Sequence, residues 1–225
     1  MLALDVDSKE ECLHFANLLG AHVGALKIGP RLVVRYGGEL IGQLAQLAPV
    51  FVDCKYLDIP STMEAAIRAS FAAGASFATV HAWAGPEAMA VMAKVEAELS
   101  AQRPFKILVV SILTSFTQKN LPPPLTQFEV SGQVSALVDM AGEQQLTGFV
   151  CSAHEARALR KNHPERFLVT PGVRMPGDSV GDQARVMTAK EALTEGASAL
   201  VIGRSLIQAQ NPKEKLTAIL ESMRS

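Results

Sequence analysis

Cysteines are few in this sequence, and it has neither a net positive charge nor a long apolar run. Its three cysteines, Cys12, Cys54 and Cys151, are far apart and form no CxxC pair, which argues against both a disulfide framework and a zinc site. The net charge of −1 provides no basic surface for nucleic acid. No apolar run approaches the ~18 residues that span a bilayer, and the first residues follow a strand pattern, unlike a signal peptide. We therefore expect a cytoplasmic protein without a nucleic-acid or membrane partner.

Short apolar runs and helical patterns alternate along the chain, with no linker, charge block or low-complexity segment between them. Hydrophobic residues make up 48% of the 225 residues, which suffices for one large core. The predicted strands are residues 2–6, 23–28, 50–53, 76–81, 106–113, 149–151, 167–170 and 199–202. The predicted helices are residues 8–19, 30–47, 61–73, 86–99, 130–145, 153–162, 182–195 and 212–223.

The predicted strands are apolar throughout, which is typical of a parallel sheet covered on both faces. Eight strand–helix units in this length predict an α/β fold, a single-domain (β/α)8 barrel over residues 1–225. The alternative is a doubly wound open sheet, which normally has a glycine-rich first turn. Because Asp5-Val6-Asp7 occupies that position, we favour the barrel.

Polar residues follow nearly every predicted strand. The carboxyl ends of barrel strands carry the active site in enzymes of this architecture. The residues at these ends are Asp5, Lys27, Asp53 with Lys55, His81, Thr114 with Ser115, Ser152, Arg174, and Gly203 with Arg204. This distribution predicts a functional rim, the alternative being simple solvation of strand ends. We expect His81 to be a hydrogen-bonded supporting residue and not a base.

Four charged residues near the third strand form the main candidate for chemistry. Asp53 and Lys55 are two residues apart and therefore share one side of an extended chain, whereas Asp58 must reach its target from a loop. Together with Lys27, they form an alternating array in which each charge keeps its neighbours ionised. Such an array can pass a proton from a lysine to a carbanion while a carboxylate repels a second carboxylate. The alternative interpretation is a structural salt-bridge network.

The loops after strands seven and eight predict a phosphate site. Barrels of this kind commonly bind phosphate there, with the N-terminus of a short helix. Gly172 and Gly203 allow backbone amides to approach, and Arg204 has the geometry to bind phosphate with two nitrogens. The proline-rich segment 117–126 has the length of a lid.

Several motifs occur in an order shared with one known family. They are Ala3-Leu4-Asp5, Leu26-Lys27-Ile28-Gly29, Asp53-x-Lys55-x-x-Asp58-Ile59-Pro60-x-Thr62, Val80-His81-Ala82, Leu113-Thr114-Ser115, Val150-Cys151-Ser152-Ala153, Thr170-Pro171-Gly172-Val173-Arg174, Gly181-Asp182-Gln183 and Val201-Ile202-Gly203-Arg204. Over essentially its whole length, the sequence resembles the bacterial orotidine 5′-phosphate decarboxylases. It departs from their pattern at Cys54, at Met175-Pro176 and in its short N-terminus.

The resemblance implies a metal- and cofactor-independent enzyme that decarboxylates orotidine 5′-monophosphate in pyrimidine biosynthesis. It makes Lys55 the proton donor within the array of Lys27, Asp53, Lys55 and Asp58. It also implies a homodimer in which Asp58 and Thr62 enter the active site of the partner subunit. The implied substrate contacts are Asp5 and Lys27 with ribose, Asp53 with the departing carboxylate, Thr114 and Ser115 with the pyrimidine, and Gln183, Gly203 and Arg204 with phosphate, near Arg174.

Two other functions are compatible with part of the pattern. Metal-dependent relatives that act on 3-keto-gulonate 6-phosphate or hexulose 6-phosphate share Asp-x-Lys-x-x-Asp but carry a glutamate where this chain has Lys27. An ammonium at that position would repel Mg²⁺, which prefers oxygen ligands. A noncatalytic barrel that binds a phosphorylated ligand is the other alternative, and the intact charged array argues against it.

Overall fold

The fold is built on one sheet of eight parallel strands in sequential order. In the computed structural model, which describes residues 1–173 and 187–223, the strands are β1 (Leu2–Ala3), β2 (Leu26–Ile28), β3 (Val50–Tyr56), β4 (Ala75–His81), β5 (Lys106–Val110), β6 (Gly148–Val150), β7 (Phe167–Thr170) and β8 (Ala199–Leu200). The sheet closes on itself because Ala3 donates its N–H to Ile202 O at 2.8 Å and Ile202 donates to Met1 O at 3.0 Å. The predicted barrel is thereby confirmed.

Helices follow the strands and cover the outside of the barrel. Within the described residues they are α1 (Lys9–Leu19), α2 (Pro30–Ala45), α3 (Pro60–Ala72), α4 (Gly85–Ser100), α5 (Val130–Glu143), α6 (Ala153–Asn162), α7 (Ala189–Thr194), α8 (Arg204–Ile207) and α9 (Pro212–Ser222). Helix α1 begins after Ser8, whose hydroxyl accepts from Glu11 N, as its N-cap chemistry predicts. In this part of the chain, no helix has both the length and the hydrophobicity that crossing a bilayer requires.

The hydrophobic core has two parts, one on each side of the strands. The larger part packs the strands against the helices. The smaller part fills the barrel interior around Phe51 and Leu108, and the rings of Phe77 and Phe167 stack there with centroids 6.2 Å apart. Because Phe51 also lines the cavity above, this apolar layer forms the floor on which the polar end of the barrel rests.

Some predicted boundaries differ from the observed ones. The apolar run 106–113 is longer than β5, because both neighbouring ladders end where Val110 faces His81 and Val150. Ile112 nevertheless stays buried. The apolar run therefore indicated burial correctly, but it extends beyond the hydrogen-bonded strand. In contrast, β3 continues three residues beyond the predicted 50–53. Of the predicted helix 182–195, residues 182–186 lie outside the described residues, and α7 covers Ala189–Thr194.

Candidate active site

A cavity of about 410 Å³ opens at the carboxyl ends of the strands. Its volume falls within the range of ~300–1,000 Å³ typical of small-molecule sites. One wall carries the charged residues Asp5, Lys27, Asp53 and Lys55. Valine side chains from β5, β6, β7 and residue 201 line the interior. The cavity therefore places charged groups beside apolar side chains, which strengthen electrostatic interactions by lowering the local dielectric constant.

The charged residues form a continuous row. Lys55 Nζ lies 2.8 Å from Asp53 Oδ1, and Lys27 Nζ lies 3.5 Å from Asp53 Oδ2. The same Lys27 ammonium is 3.1 Å from Asp5 Oδ1. The order is thus Asp5, Lys27, Asp53, Lys55, with opposite charges alternating. The sequence predicted the association of Lys27, Asp53 and Lys55, but it did not predict that Asp5 extends the row.

Burial and charge oppose each other at the centre of this row. Burial alone would raise the pKa of Asp53, but the ammonium groups of Lys27 and Lys55 outweigh it and bring that pKa below its ordinary value. For Lys27, burial acts to lower the pKa, whereas the carboxylates of Asp53 and Asp5 raise it above the ordinary value. Both groups are therefore charged at neutral pH, and each depends on the other for its charged state.

The row depends on an irregular stretch of β3. Lys55 has a φ of 49°, a left-handed conformation that a residue with a side chain seldom adopts. The parallel register shifts between the pairs Val52↔Ala78 and Tyr56↔Val80. Lys55 N donates instead to Thr79 Oγ1 at 2.8 Å. The backbone thus turns at Lys55, and its ammonium meets the carboxylate of Asp53.

Thr79 is a site residue that the sequence patterns did not predict. It is fully buried on β4, and its hydroxyl also donates to Asp53 Oδ1 at 3.1 Å. The available signal was its position two residues before His81, which places both side chains on the same face of β4. Its partners lie 24 and 26 residues away, so the contacts themselves depended on the unknown strand register.

His81 is the last residue of β4 and lies near Lys55. It is buried, and its Nδ1 accepts from Trp83 N at 3.4 Å. Burial first, and then the positive charge of Lys55, lower its pKa, so the imidazole is neutral at neutral pH. The geometry agrees with the prediction of a hydrogen-bonded residue. Ser152, by contrast, is buried as the N-cap of α6 and is not among the cavity-lining residues.

Asp58 and Thr62 are not among the residues that line the cavity of their own chain. Both are exposed near the start of α3, and Asp58 Oδ1 accepts from the adjacent Ile59 N at 2.7 Å. Among the described residues, no ion pair links Asp58 to either lysine. The flanking apolar side chains Leu57 and Ile59 are 51% and 64% exposed. This loop therefore directs both a carboxylate and apolar surface outward.

The cavity also contains the predicted phosphate and base residues. Thr114, Ser115, Gly172, Gly203 and Arg204 all line it. At Gly203, which precedes α8, an added Cβ would lie 3.1 Å from Ala3 Cβ, so glycine permits the close approach of this loop to β1. The predicted contacts Arg174 and Gln183, together with Met175 and Pro176, lie outside the described residues.

The donor atoms of the site are arranged around ammonium groups. Between the carboxylates of Asp5 and Asp53 lies the Lys27 ammonium. Within residues 1–173 and 187–223, no group of three or more histidine, cysteine, aspartate or glutamate side chains could hold a metal ion.

Comparisons with known proteins agree with this architecture. A protein of Parasynechococcus marenigrum named orotidine 5′-phosphate decarboxylase is 43% identical over 97% of this chain and 91% of its own length. One of the same name from Psychromonas ingrahamii is 36% identical over 99% of this chain and 96% of its own. The crystal structure of orotidine 5′-phosphate decarboxylase from Lactobacillus acidophilus superimposes with a TM-score of 0.81 at 28% identity, covering 100% of this chain and 98% of that one.

A family model extends the similarity over nearly the whole sequence. The model described as orotidine 5′-phosphate decarboxylase / HUMPS family matches residues 1–219. That match includes every residue of the charged row and the other residues that line the cavity. The chain therefore belongs to the orotidine 5′-phosphate decarboxylase / HUMPS family.

Proposed function

We propose that this protein decarboxylates orotidine 5′-monophosphate to uridine 5′-monophosphate, without metal or organic cofactor, in de novo pyrimidine biosynthesis. The observation that carries the proposal is the position of Asp53 between two ammonium groups, 2.8 Å from Lys55 and 3.5 Å from Lys27. A fixed anion and a fixed proton donor thus lie side by side, above an apolar floor. The names of the relatives supply the substrate.

The proposed reaction breaks the bond between C6 of the pyrimidine and its carboxylate. Carbon dioxide leaves, and the electron pair of that bond remains on C6. The Lys55 ammonium stabilises this charge and then donates a proton to C6, which leaves a neutral amine that regains its proton from water. Preorganised charges in a water-excluded site are well suited to this task. Asp53, held ionised by its two lysines, repels the substrate carboxylate before it departs.

The remaining substrate contacts would come from residues around the cavity. Asp5 and Lys27 would hold the ribose hydroxyls, and Thr114 with Ser115 would contact the pyrimidine. Gly203 and Arg204, with the predicted contributions of Gln183 and Arg174, would bind phosphate. Binding energy gained at the phosphate, far from C6, can be used to align the reacting groups.

A homodimer would complete the site. Asp58 and Thr62 are exposed within one chain, and the neighbouring Leu57 and Ile59 expose apolar surface. Insertion of this loop into the partner's cavity would bury that surface and bring Asp58 to the charged row as a fifth member.

Three free cysteines fit a reducing compartment, in agreement with a cytoplasmic enzyme.

A second candidate function is metal-dependent chemistry on a sugar phosphate, because the matching family also includes the HUMPS proteins. The Lys27 ammonium between Asp5 and Asp53 disfavours a divalent cation at that position. The assay is therefore the loss of orotidine 5′-monophosphate, followed by ultraviolet absorbance in the presence of EDTA. Turnover under chelation supports the proposal. Turnover only after Mg²⁺ is restored contradicts it, and a protein that binds the nucleotide without turnover is a noncatalytic barrel.

The first prediction concerns Lys55→Ala. Loss of the proton donor and of the positive charge beside C6 should lower kcat by at least about 10⁴-fold, since general acid catalysis and electrostatic stabilisation each contribute on the order of 10²-fold or more. Binding of uridine 5′-monophosphate, measured by calorimetry, should persist. Lys9→Ala is the control, because Lys9 pairs with Glu39 outside the cavity and should leave kcat unchanged. Turnover of Lys55→Ala within tenfold of the unmodified protein would remove Lys55 from its role.

A further inference from the structure

The register shift between β3 and β4 places a single residue of β4, Thr79, opposite three residues of β3. The ladder pairs Val52 with Ala78 and then Tyr56 with Val80, so residues 53–55 face Thr79 alone. The backbone of β4 therefore offers no acceptor to the N–H of Lys55, and the side chain of Thr79 provides one. An unpaired N–H at a buried site is costly, and the hydroxyl of Thr79 satisfies that of Lys55.

The hydroxyl uses both of its hydrogen-bonding roles at this position. Its oxygen accepts from Lys55 N at 2.8 Å, and its hydrogen is donated to Asp53 Oδ1 at 3.1 Å. Asp53 Oδ1 is also the atom that accepts from Lys55 Nζ, at 2.8 Å. A closed ring of hydrogen bonds thus connects the backbone of Lys55, the hydroxyl of Thr79, the carboxylate of Asp53 and the ammonium of Lys55.

The ring constrains two otherwise independent features. It holds Lys55 at its φ of 49°, a conformation that a residue with a side chain seldom adopts. It also fixes which carboxylate oxygen faces Lys55 and which faces Lys27, since Oδ2 is the atom near Lys27. Thr79 is fully buried and does not line the cavity, so it contacts the row without being exposed to a ligand in the cavity.

We propose that Thr79 is a positioning residue, whose hydroxyl sets the placement of the Lys55 ammonium relative to Asp53 and thereby the rate of proton delivery. This inference rests on the proposed decarboxylation. Thr79 is expected to contact neither substrate nor product. Its effect should therefore fall on kcat and leave KM nearly unchanged.

The test compares Thr79→Val with Thr79→Ser. Valine preserves the shape but removes the hydroxyl, so kcat should fall about 100-fold, as expected when a reacting group is misplaced by about 1 Å, while KM changes by less than about threefold. Serine retains the hydroxyl and should keep kcat within about fivefold of that of the unmodified protein. The acid limb of the kcat profile should move to higher pH in Thr79→Val, because the Asp53 carboxylate loses a donor and its pKa rises.

Thr147→Val is the matched control. Thr147 Oγ1 also bonds a lysine, Lys106 Nζ at 2.9 Å, but Lys106 begins β5 at the opposite end of the barrel from the cavity. This variant should lose stability without a change in kcat or in its pH profile. If Thr79→Val does not fold, Thr79→Ala, which removes the same hydroxyl without adding apolar bulk, is measured in its place.

Two results would overturn the proposal. The first is a folded Thr79→Val, or Thr79→Ala, with kcat within threefold of the unmodified protein. The second is Thr79→Ser losing as much kcat as Thr79→Val, which would assign the effect to packing. A crystal structure of the valine variant gives a readout that does not depend on activity: we expect Lys55 to leave its positive φ, and an unchanged row contradicts the inference. Failure of the unmodified protein to act on orotidine 5′-monophosphate would instead contradict the proposed function.

Discussion

At the scale of single residues, the site is an arrangement of mutually dependent charges. The side chains of Asp53 and Lys27 are only 15% and 11% exposed, and a buried charge is tolerated when it is paired and hydrogen-bonded. Each residue of the row except the terminal ones has two partners of opposite sign. Substitution of one member should therefore change the charge state and the stability of its neighbours.

The second prediction is that Asp53→Asn destabilises the fold in a pH-dependent way. Removal of the carboxylate leaves two lysines facing each other, at a cost of about 3 kcal/mol at pH 7, the lower end for breaking a buried pair. The pKa of Asp53 is depressed in the folded state, so its stabilising contribution is present above the unfolded value of about 4 and is lost as pH falls through the folded value. In urea unfolding between pH 3 and 7, the free energy of unfolding of Asp53→Asn should differ from that of the unmodified protein, and this difference should shrink below about pH 4.

Asp7→Asn is the control for this prediction. Asp7 forms an ion pair with Arg31 at 3.2 Å, but both side chains are more than half exposed, so its removal should cost less than about 1 kcal/mol. A difference for Asp53→Asn that is equally small at pH 7, or that does not decrease in acid, would show that the row is not a coupled network.

The residue types of the row were predictable from sequence, whereas its contacts were only partly so. The spacing of Asp53 and Lys55 placed them on one side of a strand, and barrel architecture placed Lys27 on the same rim. The hydrogen bonds of Thr79 could not be predicted, because they require the register between two strands and a backbone irregularity at Lys55. The link between Asp5 and Lys27 likewise depends on how far each side chain extends into the cavity.

At the scale of secondary-structure elements, the strands were predicted more reliably than their ends. An apolar run reports burial, and all eight runs are strands of the barrel. Ladder length is set by the neighbours, which is why β5 stops at Val110 although Ile112 is still buried. In β3 the strand is longer than its apolar run. It continues through polar residues to Tyr56 because its partner β4 extends to His81.

The third prediction concerns the tight packing of β6. An added Cβ at Gly148 would lie 2.6 Å from Ile107 O and 2.9 Å from Leu108 Cδ2, and the backbone oxygen cannot move without disturbing the β5–β6 ladder. Gly148→Ala should therefore destabilise the fold by about 2 kcal/mol, the typical cost of overpacking. Thermal and urea unfolding would measure the loss.

Gly132→Ala provides the comparison for Gly148→Ala. Gly132 lies in α5, and nothing is within 4 Å of its added Cβ. Alanine should stabilise the helix by about 0.5–1 kcal/mol. Opposite signs for the two substitutions are expected. A loss at Gly132 as large as that at Gly148 would mean that glycine content, and not the contact with Ile107, decides the outcome.

At the scale of the whole molecule, the apolar residues that stabilise the barrel interior and the charged residues of the candidate site lie at different levels along the barrel axis. Phe51, Phe77 and Phe167 fill the interior below the cavity, and the charged row lies above them. This division explains why the number of strands sufficed to predict where the polar residues meet. The predicted contribution of Asp58 is different in kind, because its side chain is exposed in a single chain. Only an assembly of two chains can test its predicted role.

The fourth prediction is that two inactive variants restore each other's activity when mixed. If Asp58 completes the site of the partner subunit, a dimer of one Lys55→Ala chain and one Asp58→Ala chain contains one site with both native residues and one with neither. Random exchange at equal amounts should therefore recover about a quarter of the unmodified activity, since half of the dimers are hybrids and half of their sites are intact. Lys55→Ala mixed with Lys27→Ala is the control, because both residues belong to the row of the same chain and no hybrid site is complete. Native mass spectrometry confirms that hybrids form; hybrids without recovered activity, or equal recovery in the control, would exclude a site shared between subunits.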